Sequence, residues 1–465
     1  MVFSSIPFLY YFLPCVLLLY FISPKSLKNA VLMVSSLVFY AWGEPKLVVL
    51  MLLSILQGYI FGMLIEKSGG RRAKIYLAAS VAFSIGMLGY YKYADFFVEN
   101  FNAVTGLSVP LLRIALPIGI SFYTFQILSY TVDVYRREVP AQRNFVNLAA
   151  YITMFPQLIA GPIVRYSDIA AQLEHREHSM EKCALGVRRF VIGLGKKVLI
   201  ANTLGELCSI FRESNDKSVM FFWLYAVAYC LHVYFDFSGY SDMAIGLGKI
   251  FGFNFLENFN YPYIAKSVTD FWRRWHMSLG TWFRDYVYIP LGGNRVKLLR
   301  WLCNLMIVWL LTGFWHGAAW NFIIWGLYFG ILLIIEKMWL SKILSKLKFL
   351  RHAYVLLVVI VSFVIFDASS IGNAWFYIKS MFGAGGFPAV SVQAVYYLQS
   401  YAVILIIAVI GATPLIPNSI KRLRNSKLGE KILNTAEPIF LVVLLCIITG
   451  YIADGSFNPF LYFRF

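Results

Sequence analysis

The sequence predicts an all-α, polytopic membrane protein, and three observations carry the prediction. Of 465 residues, 60% are hydrophobic and only 14% are charged, where a soluble domain carries about a quarter charged. Apolar runs of about 20 residues, the length a helix needs to cross roughly 30 Å of hydrocarbon, recur along the chain. The charge balance, 41 Lys and Arg against 23 Asp and Glu for a formal +18, places its excess in the short segments between runs. There it sets orientation and does not imply a nucleic-acid partner. The six cysteines are scattered without a C-x-x-C pair, which argues against a disulfide framework or a thiolate metal site.

Residues 5–22, 29–43 and 47–65 are the first three spans, separated by Lys25 and Lys28, by Glu44-Pro45-Lys46 and by the charged stretch 66–74. The uncharged start places the N-terminus outside, and no charged n-region precedes the first run, so that run is read as a retained helix and not a signal peptide. Residues 75–91 lead out to a loop bearing Asp95 and Glu99, and residues 111–132 return to Arg136, Arg137 and Arg143. Residues 146–164 are apolar enough to cross, yet the segment after them is basic again and belongs on the cytoplasmic side. This stretch is expected to re-enter. Pro156 and Gly161-Pro162 break a helix, and irregular backbone at membrane depth needs protein or a water-filled cavity around it.

Residues 187–204 go out to Glu206, Glu213 and Asp216, and residues 219–237 return. The aromatic and basic segment 266–300 is the least lipid-like. Residues 301–315 and 318–335 lie between two basic clusters, so both ends are inside. The first of these covers only about 22 Å, which puts the turn at His316 and Gly317 within the bilayer. Residues 355–366, 402–416 and 439–452 complete about ten to twelve crossing or re-entrant helices. A short interfacial helix is expected at 375–382, with the C-terminus outside. No internal repeat is visible.

Polar groups at membrane depth are costly and mark candidate sites. His316 lies in Leu311-Thr312-Gly313-Phe314-Trp315-His316-Gly317-Ala318-Ala319-Trp320-Asn321, where a shielded neutral imidazole suits a general base; a core histidine bonded across a helix pair is the equal alternative. In Asp270-Phe271-Trp272-Arg273-Arg274-Trp275-His276, a continuous helix would set Trp272 and His276 on one face. Asp270 would pair with Arg273 or Arg274 and leave a guanidinium for an anion. Arg273, Arg274, Arg284, Arg295 and Lys297 suit the phosphates of a nucleotide-bearing donor, although such runs also fix orientation or meet anionic headgroups. Leu291-Gly292-Gly293-Asn294 is read as a turn. Asp236 and Asp242, six residues apart, fall on different helix faces and read as anchors for Arg side chains or helix ends, with His232 in the same structural class. Glu174-His175-Arg176-Glu177-His178 reads as a solvated helix face, and no metal is assigned.

These motifs, together with residues 116–126, 234–242, 283–294 and the closing Phe460-Leu461-Tyr462-Phe463-Arg464-Phe465, resemble the membrane-bound O-acyltransferases, and within them the bacterial branch of alginate O-acetyltransferase subunit I. The resemblance covers nearly the whole chain. It implies tilted and re-entrant helices around a central tunnel, with His316 as the signature catalytic histidine and His276 at the second motif position. Residues 1–465 then form one integral domain, with N-terminal helices to 145, a catalytic core over 146–351 and C-terminal helices from 352. The implied activity moves an acetyl group from a cytoplasmic thioester, acetyl-CoA, across the bacterial inner membrane to an exported polysaccharide such as alginate. His316 would deprotonate the acceptor hydroxyl, and His276 would position or polarise the carbonyl. Arg273, Arg274, Arg284, Trp272 and Trp275 would bind the donor. No permanently bound cofactor is expected, and an extracytoplasmic SGNH-type acetyltransferase is the implied partner. The alternatives are a teichoic acid D-alanyl transferase fed by a carrier protein and, from another class, a polymer or lipid transporter.

Overall fold

The computed structural model describes residues 2–455, so the closing motif 460–465 and the C-terminus expected outside lie beyond the described residues. The chain is helical, with no strand among the described residues. Seven helices are long and apolar enough to cross a bilayer, and an eighth arises if Val392–Ser400 and Ala402–Gly411, bent by 57°, count as one span. The other expected segments are helices that are short, broken or charged. The chain divides into two compact units, one of residues 1–190 with 243–256 and one of 191–242 with 257–465.

In the first unit the helices Pro7–Ile22, Lys28–Ala41, Pro45–Lys67 and Gly70–Thr105 follow the predicted order. The fourth is longer than expected. It runs through Asp95 and Glu99 as helix, and the Asp95 carboxylate accepts the backbone N–H groups of Leu112 and Arg113 at 2.7 and 2.9 Å. Residues 111–119 are therefore not a membrane helix: Pro110 and Pro117 interrupt the ladder, and Gly119 turns at φ 74° before the helix Ile120–Arg136 begins. Buried polar groups are stitched across helices, with Gln57 Nε2 donating to Ser84 Oγ at 3.0 Å and Ser80 Oγ to Gln57 Oε1 at 3.2 Å.

The stretch expected to re-enter is broken as predicted, into Phe145–Thr153 and Phe155–Leu158 followed by irregular chain. Its freed backbone groups find side chains. Ser36 Oγ accepts Phe155 N–H at 3.0 Å, Gln157 Nε2 donates to Tyr151 O at 2.6 Å, and Tyr151 Oη donates to Val164 O at 2.9 Å. It is packed by protein, its Phe155 ring lying 5.4–6.2 Å from Phe3, Phe8, Phe12 and Phe39. Residues 175–179 are a loop and not a helix face. Arg176 Nε donates to Tyr20 Oη at 2.8 Å, and His178 Nε2 lies 2.9 Å from the same oxygen, so this sequence closes onto the buried Tyr20.

The helix Val219–Ile250 continues past the predicted end, so residues 234–242 of the second unit are helical. Asp236 and Asp242 do anchor charges, and lysines are among their partners. Lys197 Nζ meets Asp236 Oδ1 at 2.5 Å and Lys196 Nζ meets Asp242 Oδ2 at 2.7 Å. The two lysines open a π turn, Lys196–Ala201. Gly239, midway between the acids, lets the backbones touch, since a Cβ there would lie 2.7 Å from Gly193 O. His232 is a core histidine, its Nδ1 2.6 Å from Ala201 O. The helices Leu298–His316 and Trp320–Ile335 form a close hairpin in which a Cβ on Gly326 would lie 2.3 Å from Trp309 O. Leu350–Asp367, Ile371–Met381 and Lys427–Ala453 follow.

Candidate active site

His316 ends the helix Leu298–His316, and the chain bends through Gly317 and Ala319, both in extended conformation, before Trp320 opens the next helix. The imidazole thus sits at the tip of the hairpin. Its ring centroid lies 5.0 Å from Trp315, 5.0 Å from Trp325 and 5.3 Å from Phe366, and 8% of the residue remains accessible. Asn321, one residue into the second helix, donates Nδ2 to the carbonyls of Phe366 and Ala368, each at 3.1 Å. This ties the tip to the end of Leu350–Asp367.

His276 reaches the same aromatic cluster by a different route. The continuous helix expected over 270–276 does not form: Val268–Trp272 ends, His276 takes the left-handed conformation at φ 46°, and Met277–Phe283 starts anew. A non-glycine residue in that region carries strain that its surroundings must hold. Here Asn260 N–H donates to Arg274 O at 2.9 Å and Met277 N–H to Asn258 O at 3.0 Å, pinning the turn on both sides. The ring of His276 lies 4.6 Å from Phe237 and 6.0 Å from Trp315, so Trp315 neighbours both imidazoles. Only 2% of His276 is accessible. Its Nδ1 lies 3.2 Å from Asn258 Oδ1, and its Nε2 is buried with no hydrogen-bond partner among the described residues. His276 lies outside the membrane-spanning helices; burial first, and the nearby His316 imidazole second, hold its pKa well below the usual histidine value. Both causes favour the neutral imidazole.

The other predicted residues divide. Trp272 and Trp275 join the cluster, not through the helix face shared with His276 but through separate packing. Trp272 contacts Trp309 at 4.7 Å and Trp325 at 5.5 Å, while Trp275 stacks on Phe271 at 5.6 Å and meets Phe363 at 5.2 Å. Asp270 pairs with Arg274 at 2.8 Å, one of the two expected partners, and Arg273 is exposed. Arg284 is exposed and pairs with its neighbour Asp285 at 2.7 Å. Residues 291–294 form the expected turn, with Gly292 and Gly293 both at positive φ.

Two side chains that support this site, Asn258 and Glu336, are not named from the sequence, while Asn321 enters there only as the end of the stretch around His316 and without a role. The Glu336 carboxylate is buried and caps the helix that carries Trp272, accepting from Val268 N at 2.8 Å and from Thr269 N and Oγ1 at 2.9 and 2.8 Å. A lone acid closing the apolar run 320–335 was the available signal, and the lysines beside it masked it. Glu336→Ala leaves two backbone donors unsatisfied, and we expect a loss on the order of 3 kcal/mol. Glu336→Gln keeps one acceptor oxygen and should lose less. Thermal unfolding of the detergent-purified variants checks both, and equal midpoints for Glu336→Ala and the unsubstituted protein would refute the cap.

Chemically, the cluster offers two buried imidazoles in an aromatic surround that excludes bulk water, the setting in which a proton acceptor works on a hydroxyl while a reactive ester is shielded from hydrolysis. Comparison with known proteins agrees in kind. The model of the MBOAT, membrane-bound O-acyltransferase family, matches residues 92–374, which include both imidazoles. The probable alginate O-acetylase AlgI of Azotobacter vinelandii is 40% identical over all of both chains. That of Pseudomonas aeruginosa is 44% identical over 83% of this chain and 75% of its own. The peptidoglycan O-acetyltransferase of Helicobacter pylori is 35% identical over 83% of this chain and 80% of its own. The chain is a polytopic O-acyltransferase that belongs to the membrane-bound O-acyltransferase family, in its AlgI-like branch.

Proposed function

We propose that this protein O-acetylates an exported polysaccharide such as alginate, taking the acetyl group from a cytoplasmic thioester, acetyl-CoA, and working in the bacterial inner membrane. The observation that supports it most is the pairing of His316 and His276 around one tryptophan in the family-matched stretch. His316 takes the proton of the acceptor hydroxyl, the oxygen attacks the thioester carbonyl, and the thiolate leaves and is protonated to the free thiol. His276 completes the site as the second imidazole. Arg273, Arg274 and Arg284, which lie on the exposed or half-buried parts of the segment that carries His276, meet the phosphates of the donor, with Trp272 and Trp275 behind them. Residues 146–351 hold this core, and an extracytoplasmic SGNH-type transferase passes the acetyl group to the glycan.

The names of the relatives support the glycan, since they are O-acetylases of alginate and peptidoglycan. Two measurements test the reading together. Deleting the gene should strip O-acetyl groups from the surface glycan, and the purified protein in vesicles should transfer or release labelled acetyl from acetyl-CoA. Unchanged glycan acetylation, or strict dependence on an acyl carrier protein, would overturn it.

A further inference from the structure

Resting on the reading above, a deeper role follows from the hydrogen bond that the His276 ring makes to Asn258. Asn258 Oδ1 accepts three contacts: Ser278 N–H at 3.2 Å, Ser278 Oγ at 2.9 Å and His276 Nδ1 at 3.2 Å. The backbone N–H of Ser278 can only donate, so the amide of Asn258 must present its oxygen here; the flipped amide would set NH₂ against N–H. An oxygen that faces His276 Nδ1 requires Nδ1 to be the protonated nitrogen. In a neutral imidazole, Nε2 is then a bare lone pair. That atom is buried and meets no donor among the described residues. A bare nitrogen cannot polarise a carbonyl, which needs a donor.

We infer that Asn258 is a positioning residue that locks His276 in the Nδ1–H tautomer, so that Nε2 serves the reaction as an acceptor of a hydrogen bond or proton from the acceptor hydroxyl or the donor, and not as a carbonyl polariser. The backbone supports the assignment independently. Met277 N–H to Asn258 O fixes the 258 and 276 strands of chain against each other, and the strained φ of His276 is what aims its ring between Asn258 and Trp315. Of the titratable groups, His316 on the helix Leu298–His316 acts on His276. The other named neighbours, Phe237 on Val219–Ile250, Asn258 and Ser278, carry no charge.

Nitrogen-15 spectra of the full chain, labelled at histidine in lipid nanodiscs and assigned to His276 by difference from His276→Gln, read the tautomer directly. We expect protonated Nδ1 and unprotonated Nε2 at pH 7; protonated Nε2 would overturn the inference. Asn258→Asp keeps the shape but sets a carboxylate against Nδ1, which favours the imidazolium. The acid limb of kcat/KM against pH should therefore move to higher pH, with kcat falling about tenfold or more at pH 7. A profile superimposable on that of the unsubstituted protein would overturn the inference. The spectra require no turnover, so a protein with the expected tautomer that transfers no acetyl would refute the proposed function while leaving the role of Asn258 in place.

Discussion

His316→Ala should reduce acetyl transfer by about 10²–10⁴-fold, the span associated with removing a positioned general base. The residue ends a helix at the tip of a hairpin, where Trp315, Trp325 and Phe366 hold the ring from three sides, and Asn321 ties that tip to the carbonyls of Phe366 and Ala368. Because the Asn321 bonds do not involve the imidazole, the variant should still purify as a folded membrane protein. His316→Gln fills more of the space and can hydrogen-bond, yet it cannot take a proton near neutral pH, so it should be as inactive as the alanine variant. Single-turnover transfer from labelled acetyl-CoA separates the outcomes: lost chemistry with retained donor binding is expected, and full transfer by either variant would remove His316 from the reaction.

Lys197→Ala should be the most destabilising change in the second unit. Side-chain exposure is 2% for Lys197 and 1% for Asp236, and their charges meet at 2.5 Å. Removing the cation leaves a buried carboxylate uncompensated, which costs about 3–5 kcal/mol. Lys196→Ala provides the internal control. Its pair with Asp242 is 25% and 17% exposed, and a more solvated pair contributes roughly 1 kcal/mol or less. The double replacement Lys197→Met with Asp236→Leu should recover most of the loss, because a packed apolar pair replaces a buried ion pair at little net cost. Thermal unfolding in detergent ranks the variants. A Lys197→Ala protein as stable as Lys196→Ala would show that the buried pair carries no special weight.

Much of the molecule was legible in one dimension because membrane helices obey local rules. Length and apolar content located the spans, since a run that buries its own backbone hydrogen bonds needs no distant partner to be recognised. Pro156 announced the broken segment for the same reason, and an imidazole flanked by Trp315 and Gly317 was conspicuous wherever it folded. Element ends were less legible. Asp95 and Glu99 suggested a loop, yet they are helical, because a carboxylate that binds the backbone N–H groups of Leu112 and Arg113 is satisfied without leaving the helix.

Contacts between residues far apart in the chain decided the rest. The partner of Asp236 is a lysine 39 positions earlier, and the carboxylate that caps the Trp272 helix comes from Glu336, 67 or 68 positions later. Nothing in the periodicity of either segment encodes such pairings. His276 is the sharpest case. The spacing of residues 270–276 favoured a continuous helix, but the strand of chain at 258–260 offers its turn two backbone hydrogen bonds and its ring an amide oxygen. Those contacts outweigh the local preference for helix, and through them a polar asparagine without any distinguishing sequence feature sets which nitrogen of the second imidazole faces the site.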